Sequence, residues 1–353
     1  NTITGGSGND TLIGRLGDDT YVYTSDDTII ENVGEGTDTV KSSSTINLSS
    51  SSNIEYITLT GSSNVNATGT SDDNIITGNR GKNTLNGGEG DDTLNGGAGI
   101  DRLVGGLGDD TYVYTSGDTI IEKAGEGTDT VEGNVNRISL SNFSNVENAT
   151  FTGSKGFLIT GNSLDNVLTG NDRGNLFWGG GSGNDTFIGG SGNDSYYINY
   201  NSSDQWDVTT IVDGGGTDTI IINKDTNFDL TSVTGHEDIE NLQTNSKSGA
   251  TLTGNDNNNT ITGGSGNDNI SGGLGNDIIN GGAGNDTLIF DQGNDTFIGG
   301  KGNDTFVINN FPTDWLYLKD FESSGNGNDT IQLSNSVFTQ LSSGQLSSAN
   351  FHK

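Results

Sequence analysis

Short carboxylates recur in this chain at intervals of nine residues, each behind a set of glycines. Gly87-Gly88-Glu89-Gly90-Asp91-Asp92-Thr93-Leu94-Asn95 is followed by Gly96-Gly97-Ala98-Gly99-Ile100-Asp101-Arg102-Leu103-Val104. Next comes Gly105-Gly106-Leu107-Gly108-Asp109-Asp110-Thr111-Tyr112-Val113. The pattern is G-G-x-G-x-D-x-U-x, with U a large apolar residue. Carboxylates gathered by such spacing repel one another unless a cation lies between them. Ca²⁺ prefers six to eight hard oxygens at roughly 2.3–2.6 Å, backbone carbonyls included. Glycine turns expose those carbonyls without side chains in the way. The chemistry these residues offer is cation binding.

Strands and turns must position them. The last three residues of each repeat alternate polar and apolar and favour a short strand. The first six, rich in Gly and Asn, favour a turn, because both tolerate left-handed backbone. Turn plus strand makes half a coil, so two nonapeptides close a coil of about 18 residues. The expected fold is therefore all-β, a parallel β-roll or β-helix solenoid whose strands stack about 4.8 Å apart. Position eight points inward and forms a thin core that includes Leu12, Tyr21, Leu94, Leu103, Tyr112, Phe187, Ile270, Leu288, Phe297 and Phe306. Position-six carboxylates two repeats apart share an edge, so Asp92 neighbours Asp110, Asp268 neighbours Asp286, Asp277 neighbours Asp295, and Asp286 neighbours Asp304. The candidate calcium ligands at this position are Asp10, Asp19, Asp92, Asp101, Asp110, Asp185, Asp194, Asp268, Asp277, Asp286, Asp295 and Asp304. One Gly-Asn-Asp cluster alone would be read as a turn; many copies in nine-residue register point to bound calcium.

The repeats fall in four runs, 5–22, 69–113, 161–197 and 254–307. A longer period of about 91 residues joins them. Asp19-Thr20-Tyr21-Val22-Tyr23-Thr24-Ser25 returns as Asp110-Thr111-Tyr112-Val113-Tyr114-Thr115-Ser116, and Gly34–Val40 returns as Gly125–Val131. Modules are expected at 1–68, 69–160 and 161–253, followed by a regular run at 254–310 and a capping segment at 311–353. Asp38 follows Asp19, and Asp129 follows Asp110, by one coil plus a single extra residue. Both are expected on the calcium edge, with the coil continuing through the linking segments; the alternative is a loop outside the roll. Asp218 lies well over one coil beyond Asp194, so its coil must bulge. Asn74, Asn83, Asn166, Asn175 and Asn259 stand where Asp is expected. Weak or empty sites are expected there, with those coils held by their neighbours.

The nonapeptide resembles that of the RTX proteins, whose repeats are also called hemolysin-type calcium-binding repeats. The resemblance implies ions between successive turns, held by the position-six aspartates and main-chain carbonyls. The stretch from Leu316 to Ser334, with Val337, Phe338 and Phe351 beyond it, is similar to the end of RTX proteins. That similarity implies a C-terminal aromatic cap and export by a type I secretion apparatus, through a signal beyond Lys353. The enzymes of that family carry catalysis in other domains, so this chain is expected to be no enzyme.

Composition agrees with an unusual interior. Hydrophobic residues are 28%, Gly is 58 and Pro 1, against roughly 45–50% apolar residues in ordinary domains counted with Gly. The formal net charge is −33. Such a chain repels nucleic acid and anionic membrane, and it resists compaction unless cations are held in the fold. Cysteine is absent, which rules out disulfides and thiolate sites. No apolar run is long enough to span a bilayer. The chain opens as the tail of a repeat and is read as an excised piece of a longer extracellular protein. His236 and His352 lack metal spacing and are expected on the surface; Trp178, Trp206 and Trp315 are expected in core or cap packing. Two partner readings remain besides calcium itself: carbohydrate or a cell surface bound by a solenoid face, and ice bound by the outward Thr287, Thr296 and Thr305. The threonine file is short and broken by Arg102, Asn269 and Ile278.

Overall fold

Each nonapeptide folds as its residues dictate. Thr93–Asn95 and Thr111–Val113 are three-residue strands whose central Leu94 and Tyr112 turn inward. The glycines ahead of them form the bend. Gly106 and Gly108 have φ of 122° and 130°, a left-handed region that a side chain resists. The computed structural model describes residues 1–51, 53–199, 206–223, 226–309, 316–321 and 327–334.

Successive strands pair in parallel, in the register that a coil of two repeats requires. Thr84 pairs with Arg102 and Leu85 with Leu103, while Thr93 pairs with Thr111 and Leu94 with Tyr112. In the longer strands the pairing runs on into the turn, where Gly88 pairs with Gly106. The chain forms two compact units, Asn1–Ser191 and Gly192–Lys353. In the first, one parallel ladder runs from Thr2–Thr4 to Asp185–Gly190. The opposite side is built in sections, including Ile46–Asn47 to Thr119–Ile121 and Arg137–Ser139 to Leu176–Trp178. In the second, parallel ladders run from Ser195–Ile198 to Tyr317–Leu318 and from Asn227–Asp229 to Thr330–Leu333. Helix is confined, among the described residues, to three 3₁₀ turns at Leu140–Asn142, Leu230–Ser232 and His236–Asp238.

The linking segments stay in the coil. Thr39–Ser42 pairs with Thr20–Tyr23, and Thr130 pairs with Thr111, so residues 31–40 do not leave the roll as a loop. Ser195 pairs with Thr219 across the longer coil ending at Asp218. The extra residues are taken up in turns, because strand pairing and inward burial allow no slip of one residue without reversing every side chain.

The core is one side chain thick per half-coil. All ten inward residues named above are buried, from Leu12 to Phe306. Phe177 stacks on Phe187 at 5.4 Å, and Phe297 on Phe306 at 6.3 Å. Toward the C-terminus Phe321 lies 6.0 Å from Phe306, and Thr330–Leu333 pairs with Thr305–Ile308. Phe311, Trp315, Val337, Phe338, Phe351 and His352, named for the cap and surface, lie outside the described residues. Trp206 packs edge-to-face on Phe228 at 4.8 Å. Trp178 corrects the expectation of core packing: it follows the inward Phe177 in its strand, so alternation turns it outward, and it is 44% exposed.

Candidate functional site

The site is a file of carboxylates that the coil stacks on its turn edges. Most position-six aspartates use one oxygen to accept the backbone N–H of the residue in the same slot one coil earlier. The N–H of Asp92 donates to Asp110 Oδ1 at 2.8 Å across 18 residues, and that of Asp110 to Asp129 Oδ1 at 2.9 Å across 19. Asp19 donates to Asp38 at 2.8 Å, and Asp194 to Asp218 at 2.7 Å. In the regular run Asp268, Asp277 and Asp286 donate to Asp286, Asp295 and Asp304 at 2.8–2.9 Å. On the first unit's other edge Asp101 accepts from Asn83 at 2.7 Å, and on its main file Asp185 accepts from Asn166 at 2.9 Å. The structure thus places every sequence-predicted aspartate at a turn edge, with Asp10 donating to Asp27 Oδ1 at 3.1 Å.

The second oxygen is the informative one. Oδ2 of Asp10, Asp92, Asp101, Asp110, Asp129, Asp218, Asp277, Asp286 and Asp304 is buried and receives no hydrogen bond. An oxygen taken from water without a donor is costly, and a buried carboxylate costs several kcal/mol. One inward side chain per repeat contributes only about 2 kcal/mol, too little to offset that. The backbone leaves room for something to face these oxygens. A Cβ added at Gly87, Gly96, Gly105, Gly272, Gly281 or Gly299 would collide with the carboxylate five residues on. Main-chain oxygens converge as well, for a Cβ at Gly106 or Gly108 would strike the carbonyl of Gly88 or Gly90. Orphaned carboxylate oxygens, bare carbonyls and a cradle kept open by glycine fit a hard cation with an all-oxygen shell.

Electrostatics agree. Burial pushes Asp92 up to about 8 and Asp110 up to about 7; the N–H bonds they accept oppose the shift, and the stacked acid in the next coil adds to it. Asp277 and Asp286 rise to about 7 for the same reason, Asp218 to about 7 and Asp129 to about 6. Without an ion, burial therefore favours the protonated form of acids that would be ionised in water.

Several participants escaped the sequence reading. Glu55, Glu147 and Glu240 close sections of the file by accepting from Asp38, Asp129 and Asp218 at 2.6–2.9 Å. Asp118 accepts from Asp101 at 2.9 Å, while its Oδ2 is bonded by the N–H and hydroxyl of Thr115. Glu31, Glu122 and Asp213 join two file aspartates each, in the groups Asp19–Glu31–Asp38, Asp110–Glu122–Asp129 and Asp194–Asp213–Asp218. The signal was present: Asp27-Thr28-Ile29-Ile30-Glu31 recurs as Asp118-Thr119-Ile120-Ile121-Glu122. Position five builds a second ladder in the opposite sense. Asp91 and Asp109 donate back to Asp73 and Asp91, and Asn285 and Asn303 to Asn267 and Asn285, at 2.7–2.8 Å.

The asparagine coils are tied to neighbouring coils by their own side-chain amides. Asn74 Nδ2 donates to the Ile54 carbonyl at 2.7 Å, Asn83 Nδ2 to Val65 at 2.5 Å, and Asn166 Nδ2 to Glu147 at 2.8 Å. At Asn83, Asn166 and Asn259 a second asparagine four residues earlier completes the bridge. Asn79 Nδ2 reaches the carbonyls of Thr60 and Ser63, and Asn255 Nδ2 those of His236 and Ile239. In these turns an N–H₂ group stands among carbonyls. His236 is half-buried and belongs to none of the acidic groups above.

The model of the RTX calcium-binding nonapeptide repeat matches residues 1–30, 68–103, 87–121, 160–196, 253–288 and 291–307. A search among curated proteins found no match. No helix among the described residues is long and apolar enough to cross a membrane.

Proposed function

The chain belongs to the RTX calcium-binding nonapeptide repeat family, and from that premise we propose that it is a module that folds on calcium outside the cell. It has no catalytic role of its own and serves the secretion and structure of a larger extracellular protein, such as a toxin, adhesin or exoenzyme. The observation that carries the reading is the row of buried Oδ2 atoms without donors. Asp10, Asp19, Asp38, Asp92, Asp101, Asp110, Asp129, Asp185, Asp194, Asp218, Asp268, Asp277, Asp286, Asp295 and Asp304 would hold the ions, together with carbonyls of the glycine turns. Bound calcium supplies the positive charge that turns the repulsion within each pair into a bridge between coils.

The compartment follows from affinity. Extracellular calcium modules bind at roughly 10⁻⁴–10⁻³ M, far above free cytosolic calcium. A chain of net charge −33 with a one-residue-thick core stays unfolded inside the cell, suited to export through a type I apparatus. Outside, the free energy of binding becomes free energy of folding. Far-UV circular dichroism during a calcium titration from EDTA-treated protein tests this. A cooperative gain of β signal at sub-millimolar to millimolar calcium, without a gain in magnesium, is expected. A β spectrum indifferent to EDTA would end the proposal.

A second reading, contact with carbohydrate or a cell surface through a solenoid face, draws on the exposed Trp178. Glycan binding that Trp178→Ala abolishes would favour it; equal binding by the variant would remove this support.

A further inference from the structure

The carboxylate turns are of two kinds. In the regular turns a pair of aspartates one coil apart faces the glycine cradle, as Asp286 and Asp304 do. At the junction with each linking segment, a third acid enters. Glu122 follows the strand Thr119–Ile121, which pairs with Arg102–Val104, so it lies beside Gly105, the first glycine of the turn below. Asp110 Oδ2, the Tyr112 hydroxyl and Glu122 Oε1 are the three atoms nearest to where a Cβ on Gly105 would point. The same convergence repeats one long period earlier, where Glu31 Oε1, the Tyr21 hydroxyl and Asp19 Oδ2 meet over Gly14.

The third acid is buried and left open. Glu31 is 9% and Glu122 8% exposed. In each, the tyrosine hydroxyl donates to Oε1, and Oε2 is buried with no hydrogen-bond partner. One ligand oxygen from each of Asp110, Glu122 and Asp129 lies within 4.8 Å of the other two, and likewise for Asp19, Glu31 and Asp38. That spread is what a single ion with a ligand radius of roughly 2.3–2.6 Å can span. The tyrosine consumes one lone pair of the glutamate and orients the rest toward the aspartates. It cannot neutralise them. Three buried carboxylates without a cation form the most repulsive arrangement in the file, and with a cation the most attractive, since affinity rises with ligand charge. A third version joins Asp194, Asp213 and Asp218, with the Tyr196 hydroxyl donating to Asp213 Oδ2 at 2.5 Å.

We propose that Asp110–Glu122–Asp129 and Asp19–Glu31–Asp38, each braced by its core tyrosine, form a second class of calcium site that fills ahead of the two-aspartate turns. The proposal rests on the calcium reading of the module. It assigns Glu31 and Glu122 as ligands and Tyr21 and Tyr112 as positioning residues. It also gives folding a starting place: the first ions bind where a regular run passes into its linking segment, and the weaker turns fill outward from there.

The test uses the full chain and two probes. Calcium binding is followed by isothermal calorimetry, and terbium, a calcium-sized ion, by its tyrosine-sensitised emission. A tight class that saturates first is expected, with affinity at those sites lowered about tenfold in Glu31→Gln/Glu122→Gln. Asp277→Asn should leave that class unchanged and weaken only the later one. Tyr21→Phe/Tyr112→Phe should lose more than half of the terbium emission seen at the first equivalents. Phenylalanine already fills position eight at Phe187, Phe297 and Phe306, so the core accepts the change. Circular dichroism with saturating calcium confirms that each variant has folded. If calcium drives folding but the Glu→Gln variant binds as the parent does, or more tightly, this inference falls and the module reading stands. If calcium neither binds nor folds the parent chain, the module reading falls first.

Discussion

Asn83 and Asp101 occupy the same slot in successive coils of one edge, and they close their turns in opposite ways. Both are buried, and both sit at position six of the nonapeptide. Asn83 accepts one N–H through Oδ1 and donates through Nδ2 to the Val65 carbonyl and to Asn79 Oδ1. Asp101 accepts from Asn83 through Oδ1, and its Oδ2 has no donor. The side chains have nearly the same shape. One carries an N–H₂ that satisfies the carbonyls around it, and the other carries an oxygen that joins them in needing a positive partner. A single group therefore decides whether a coil closes by itself or waits for an ion.

Removal of calcium should expose this difference most strongly. In EDTA near pH 7.5 more than half of the far-UV β signal should be lost. Retention of the whole signal would mean that protons hold the aspartate turns as well as ions do.

Next in size is a methyl group placed in the cradle. Gly96→Ala brings a Cβ onto the Asp101 carboxylate; it should lower stability in calcium by about 3 kcal/mol, as overpacking does at its upper end. Gly125 has nothing within 4 Å of its added Cβ and only its φ of 81° resists substitution, so Gly125→Ala should cost about 1 kcal/mol. Equal losses in urea melts would show that backbone strain and not the cradle matters.

A direct exchange of the two residues comes third. Asn83→Ala strips the donors from buried carbonyls and should cost about 2 kcal/mol with or without calcium, moving the calcium midpoint only by that loss of stability and leaving the affinity of the folded sites unchanged. Asp101→Asn should do the reverse, raising the midpoint roughly threefold through the loss of ligand charge while making the ion-free protein no less stable. Titrations in which both variants change the affinity of the folded sites alike would erase the distinction.

The smallest effect is that of pH. Asp92 stands at about 8, and Asp110, Asp277 and Asp286 at about 7, above the ordinary aspartate value of 3.8. Because folding raises these values, their contribution is present in full below about pH 4 and is lost as pH rises through 7 to 8. Ion-free protein should therefore keep more β signal at pH 5 than at pH 8. Protons compete with calcium for the same oxygens, so the calcium midpoint should rise as pH falls from 8 to 6. An ion-free chain more structured at pH 8 would reverse the assignment.

Much of this was legible in the residues. The inward row, the stacking of Asp92 on Asp110 and the return of Asp38 and Asp129 to the edge all follow from counting along the repeat. The donors of Asn79 and Asn255 were not, because the sequence marks them as turn formers and says nothing about where their amides point. Trp178 was misread because its place after the inward Phe177, and not its size, decides its exposure.

By itself, the sequence determined the coil, its register and the carboxylate file, because a solenoid maps chain distance onto spatial position through one constant step. Only the tertiary structure decided which turns gather a third acid. Glu122 reaches Asp110 and Asp129 through a linking turn of irregular length, and Tyr112 meets it from within the core. Where the step is no longer constant, counting ends and packing chooses the neighbours.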